Sequence, residues 1–126
     1  MDRPLGRLRR CRCRRVFDLL DPLASGFEKL NLIDESYWQL VGDEKNIQLL
    51  ASGAEEGAPR PLLWTREEAN GRIFVSIPGH YTWTFDDPLF RILILRGIAW
   101  TARAPIDTLV NGTAPQRGGG RRGRGQ

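Results

Sequence analysis

The chain has 126 residues, which suits one domain. Its net charge of +4 hides a split: residues 1–15 carry seven Arg against one Asp, residues 114–126 carry four Arg and no acid, and residues 16–113 carry 8 basic and 14 acidic side chains. The body is therefore acidic, which excludes a basic nucleic-acid-binding globule and leaves two basic arms.

No apolar run approaches the ~18 residues of a membrane helix. The longest, LFRILILRGIAW, is interrupted by Arg91 and Arg96. The basic start is followed only by VFDLL before Asp21 and Pro22, too short for the apolar stretch of a signal peptide. A cytoplasmic location is the default expectation, and no membrane partner is expected. Cys11 and Cys13 form a C-x-C pair, too tight for redox or zinc C-x-x-C spacing and without a second ligand pair. No metal site is expected, and no cofactor can be named.

In chain order, residues 1–15 read as a disordered basic head, because they offer little apolar surface to bury. DPLASGFEKLNLIDE reads as a turn-rich entry. YWQLV and NIQLLAS, split by GDEK, suit two strands and a turn. SGAEEGAPR has the composition of a loop. PLLWTREE and RIFVSI flank Asn70-Gly71, a strong hairpin signal because both residues tolerate positive φ. In the second run Ile73, Val75 and Ile77 alternate with Arg72, Phe74 and Ser76, which predicts burial on at least one side.

A helix is then predicted from Thr84 as N-cap, with Asp87 three residues on and Pro88 in the first turn. Seven of the ten residues from 89 to 98 are apolar. Arg91 and Arg96 lie about 140° apart around such a helix, leaving no single broad polar face. A helix of that kind requires cover on several sides, and little else in the chain supplies it. A homo-oligomer or a further half-domain is the expected cover. From Ala114 the chain reads as a disordered Arg/Gly-rich tail of the kind that contacts RNA without folding.

Seven residue positions draw attention for chemistry. His80 is the only histidine. It follows Pro78-Gly79 at the end of a predicted strand, where ligands gather in open α/β sheets. Imidazole suits acid–base work near neutrality; the alternative is a hydrogen bond to a loop carbonyl. Asp34, Glu35 and Tyr37 make an acid-plus-hydroxyl group able to bind sugar hydroxyls or a metal. Adjacent acids point apart in a strand, so the pair serves one site only through a turn. Tyr81 and Trp83 offer faces for stacking on a sugar ring or for packing. A seventh, Arg66, can bind an anionic group or pair with Glu67. Residues 16–113 hold no cysteine, so they supply no cysteine nucleophile, and no G-x-S-x-G or phosphate loop occurs.

Five elements occur in one order: DPLASGF (21–27), DESY (34–37), PLLWTR (61–66), GRIFVSIPGH (71–80) and DPLFRILILRGIAW (87–100). This series, from Asp21 to about Val110, resembles the C-terminal half of the ThuA-like trehalose-utilisation domain, within the class I glutamine-amidotransferase-like superfamily. Asp21 stands where that family usually has His, and EEANG replaces its common Y-G-K-G turn. Residues 1–20 do not resemble its N-terminal half.

The resemblance implies an α/β fold: part of an amidotransferase-like, flavodoxin-like three-layer domain, with short strands, a β-hairpin and one long buried C-terminal helix. The implied organisation is a head at 1–15, a partial domain at 16–113 and a tail at 114–126. The implied function is carbohydrate utilisation, with a sugar or sugar-derived ligand at a strand-end pocket. There His80 would be the catalytic acid/base or ligand, with Asp34, Glu35, Tyr37, Arg66, Tyr81 and Trp83 as contacts. The alternatives are nucleic-acid or polyanion binding through the Arg-rich ends, and a non-functional truncated product.

Overall fold

The computed structural model describes residues 13–19, 22–27 and 29–112, with side chains considered from Leu23 onward. The expectations for most of the head and for the tail, including Cys11, lie outside the described residues. Five strands form one sheet in the order β2-β1-β3-β4-β5: β1 (Cys13–Leu19), β2 (Lys29–Asp34), β3 (Gln48–Glu55), β4 (Ala58–Glu68) and β5 (Gly71–Ser76). Every paired neighbour is antiparallel. Two helices follow, α1 (Pro88–Thr101) and α2 (Thr108–Gly112). The chain is thus mixed α/β, consistent with part of a flavodoxin-like domain.

Several elements differ from expectation. β1 starts at Cys13, so the last three residues of the expected head belong to the sheet, paired with β2 from Cys13↔Asp34 to Asp18↔Lys29. The turn-rich entry contains β2. Its residues alternate strictly, with Leu30, Leu32 and Asp34 buried and Lys29, Asn31 and Ile33 exposed. That period of two places a carboxylate on the core side of the strand.

YWQLV is not a strand. Residues 35–43 are irregular, and Leu40 and Val41 are exposed. SGAEEGAPR is not a loop either: Ser52–Glu55 and Ala58–Arg60 are strand. Only Glu56 and Gly57 turn, both at positive φ (50° and 78°), the requirement of a type I′ hairpin. Pro59 and Pro61 fit in β4 because that half of the strand pairs with β3 alone; β5 joins β4 only from Leu63 onward. Proline is tolerated where one side of a strand is unpaired. The β4–β5 hairpin occurs as expected but turns one residue early. Glu68 pairs with Gly71, and Ala69, not Asn70 or Gly71, takes positive φ.

The core gathers Leu23, Leu30, Leu32, Leu50, Leu62, Leu63, Phe90 and Leu93. Helix α1 packs on β5 and α2 and buries Phe90, Leu93, Gly97 and Ala99. Arg96 holds its second half in place. Its guanidinium donates to Asp107 Oδ1 (2.6 Å), to the Leu23 carbonyl (3.1 Å) and to the Ser25 carbonyl (2.9 Å). The apparently misplaced charge in the apolar run is therefore a staple between the helix, the first 3-10 turn and the segment before α2.

The helix begins at Pro88, and its N-cap is Asp87 rather than Thr84. One carboxylate oxygen of Asp87 accepts from the N–H groups of Leu89 and Phe90, both at 2.9 Å. Residues Thr82–Asp86 form a separate 3-10 turn. Asp87→Ala is expected to cost about 1 kcal/mol, the usual loss of a side-chain cap. Urea denaturation should show a lower midpoint with unchanged slope; an unchanged midpoint would mean that the cap contributes nothing.

Candidate functional site

β2 ends at Asp34, and the alternation that buries Leu30 and Leu32 carries this residue into the interior at 1% exposure. Four donors from its own chain surround it. Oδ1 accepts from the N–H of Glu35 (2.7 Å) and of His80 (3.3 Å). Oδ2 accepts from the N–H of Gly79 (2.7 Å) and from Thr84 Oγ1 (2.5 Å). A buried carboxylate requires such partners to offset its lost hydration. Asp34 therefore faces the segment 79–84 and not solvent.

Glu35 lies just past the strand, 6% exposed. Its Oε2 accepts from the Tyr37 hydroxyl (2.7 Å), and its Oε1 from the Tyr81 hydroxyl (3.1 Å). His80 Nδ1 lies 3.4 Å from the Tyr37 hydroxyl and 3.8 Å from Glu35 Oε2, with the imidazole 46% exposed. The end of β2 supplies the turn that two adjacent acids need to serve one place. Asp34 holds the backbone of 79–84, while Glu35 holds two phenols beside the imidazole.

The aromatic side of the cluster is ordered too. Tyr81 stacks on Trp83 at 4.1 Å and 11°, and meets His80 edge-on at 4.7 Å. Trp83 Nε1 donates to the Ile33 carbonyl (2.9 Å), and the residue is 45% exposed. An indole fixed by its N–H and one face, yet open to solvent, is suited to receive another ring.

Gly79 takes φ +133°, and a Cβ there would meet the Phe85 ring at 3.3 Å. Its close approach is to Asp34 and Phe85 of its own chain. Thr84 is not the helix cap expected of it; its hydroxyl donates to Asp34 instead. The alternation of β2 was the available signal, since it puts Asp34 on the core side.

Arg66 does not join this group. It pairs with Glu68 and borders a separate cavity of about 620 Å³ with Lys45, Gln48, Thr65 and Trp100. The expected Arg66–Glu67 pair does not form; Glu67 binds Arg72 instead (2.9 Å). Six of the seven singled-out residues thus meet at one end of the sheet, and the seventh sits elsewhere. Among the described residues, no three His, Cys, Asp or Glu side chains form a metal-binding set. No helix among them is long and apolar enough to cross a membrane.

The Tyr37 hydroxyl has its pKa raised above the ordinary tyrosine value, first by its bond to Glu35, then by burial and by the neighbouring charges of Glu35 and Asp34. The neutral phenol is the form favoured in the fold. Its contribution to stability is complete below the unfolded pKa of about 10 and is lost as pH rises through the higher folded value. The chain has two tyrosines, so Tyr81→Phe leaves Tyr37 as the one phenol, and its ultraviolet phenolate titration should lie above the ordinary value of about 10. A midpoint at the ordinary value would contradict the Tyr37–Glu35 bond.

Chemically, the cluster can hold and pass a proton. A solvent-facing imidazole touches a neutral phenol, which in turn donates to a buried carboxylate. Beside it stands a stacked aromatic pair. No curated protein and no solved structure matches the chain. A family model described as trehalose utilisation matches residues 10–101. The match starts upstream of Asp21, where no resemblance was expected, and takes in β1, which completes the pairing of β2. From this coverage, the chain belongs to the ThuA (trehalose utilisation) family.

Proposed function

We propose that the end of the sheet bearing His80 binds a sugar or sugar derivative in carbohydrate utilisation. The carrying observation is the grouping of Glu35, Tyr37, His80 and the Tyr81–Trp83 stack, brought from two segments more than 40 residues apart. Trp83 supplies the stacking face, and His80 the proton donor or acceptor at the ligand. Tyr37 and Glu35 set the polarity around the imidazole. Asp34 supports the site from behind, and Arg66 has no part in it.

Calorimetric titration with trehalose and with its oxidised forms tests this reading. The native chain should release binding heat, His80→Ala and Trp83→Ala should lose it, and Arg66→Ala should keep it. Equal binding by native chain and His80→Ala would remove His80 from the site.

We further propose that this chain forms the inner part of a larger domain. The support is an incompletely covered apolar stripe on α1, where Ile92 and Leu95 are partly buried and Ile98 is 48% exposed, together with Ile73, 44% exposed on β5 one residue from the helix-facing Phe74. A contiguous stripe of this kind suits a face that another layer covers. The isolated chain should self-associate in sedimentation experiments, and Ile73→Lys with Ile98→Lys should suppress this. A native chain that stays monomeric at high concentration would overturn the proposal.

A further inference from the structure

We propose that Asp34 is the positioning residue of the site: it sets the place of the His80 imidazole without touching the ligand. The inference rests on the sugar-binding reading for its purpose, but not for its geometry. A single atom, Asp34 Oδ1, accepts from the backbone N–H of both Glu35 and His80. These two residues form the acid–imidazole approach at 3.8 Å. Both sides of that approach thus hang from one oxygen. The other oxygen braces the segment at Gly79, just before His80, and at Thr84, four residues after it.

The segment needs such an anchor. Gly79 stands at φ +133°; the last backbone bond to β4 is from the Ile77 N–H to the Leu62 carbonyl (2.9 Å), and 78–81 form no regular strand or helix. Asp34, by contrast, is the last residue of β2 and is held in the sheet opposite Cys13. The rigid element therefore carries the carboxylate, and the irregular one carries the imidazole. Asp34 is 1% exposed and its two oxygens are taken up by four internal donors, so its action on a ligand passes through His80.

Asparagine is the informative replacement. It keeps the shape but puts an NH₂ group, which cannot accept from a backbone N–H, where one oxygen stood, so that either Gly79 or both Glu35 and His80 lose their acceptor and the 79–80 backbone is released. The single histidine makes the readout unambiguous. In the native chain, nuclear Overhauser contacts should connect the His80 ring to the Tyr37 and Tyr81 rings. In folded Asp34→Asn these contacts should vanish, while those between Phe74 and the α1 backbone persist. Trehalose binding should fall as far as in His80→Ala, and the double variant should be no weaker than either single one.

If Asp34→Asn fails to fold, Thr84→Val removes one of the four donors at constant shape. It should weaken the same contacts without changing those of Phe74. Intact His80 contacts in either folded variant would overturn the proposal. Lost contacts in a chain that binds no sugar would uphold the positioning role and refute the sugar reading instead.

Discussion

Truncating Phe90 to alanine is expected to cost about 3–5 kcal/mol, the range for a buried phenylalanine whose cavity does not collapse. Phe90 is fully buried and lies in the main core cluster. Its ring meets Phe85 edge-on at 5.4 Å, and its N–H is bound by Asp87. The surroundings are fixed on both sides, by the cap behind and by the 3-10 turn in front, so relaxation into the cavity is limited. Small domains hold only about 5–15 kcal/mol in total, so this one change removes a large part of the stability. Phe85 belongs to the same turn as Trp83, so the aromatic side of the site should loosen as well. Urea denaturation measures the first effect and indole fluorescence the second. A cost below about 1 kcal/mol, the scale of a surface substitution, would contradict the packing described.

Replacing Gly97 with alanine should destabilise the chain, although alanine is the better helix former by about 1 kcal/mol. A Cβ at Gly97 would stand 2.6 Å from three atoms of the Phe74 ring. That distance is far inside van der Waals contact, and overpacking of this kind costs about 1–3 kcal/mol, occasionally more. The steric cost outweighs the propensity gain because the ring is pinned between sheet and helix. Trimming the ring reverses the balance. In a Phe74→Leu background, Gly97→Ala should be neutral or stabilising, and the double-mutant cycle should show favourable coupling between the two changes. A stabilising Gly97→Ala in the native background would mean that helix and β5 stand further apart than the structure has them.

The helix was the most legible element. Pro88 after two acids, followed by a dense apolar run, located α1 to within a few residues. The N-cap was misassigned because Thr84 and Asp87 both suit the role, and only the tertiary bond from Thr84 to Asp34 separates them. The β4–β5 hairpin was legible from its Asn-Gly pair, yet it turns at Ala69-Asn70. Pairing of Arg66 with Ile73 and Glu67 with Arg72 fixes the register there. The first part of β3 was legible in NIQLLAS, but the end of β3 and the start of β4 were hidden by composition. Gly and Glu give SGAEEGAPR its loop-like composition, and only the strand pairing shows that Pro59 falls where one side of β4 is unpaired.

Six of the candidate residues are legible because their types fit the chemistry, but their contacts are not. A sequence does not say that Asp34 and Glu35 face different partners, nor that Arg66, on the long strand β4, lies beside another cavity. The first fact depends on where β2 stops relative to the segment 79–84, and the second on where Arg66 falls along β4.

The central claim is that the imidazole–phenol–carboxylate cluster with its aromatic neighbour is where a sugar binds. The direct measurement is a heteronuclear NMR titration of the chain with trehalose, following the one imidazole and the four indole N–H signals. The account predicts progressive shifts at His80 and Trp83, with Trp38, Trp64 and Trp100 unmoved. Shifts confined to Trp100, beside the Arg66 cavity, or no shift at His80 at saturating sugar, would contradict it.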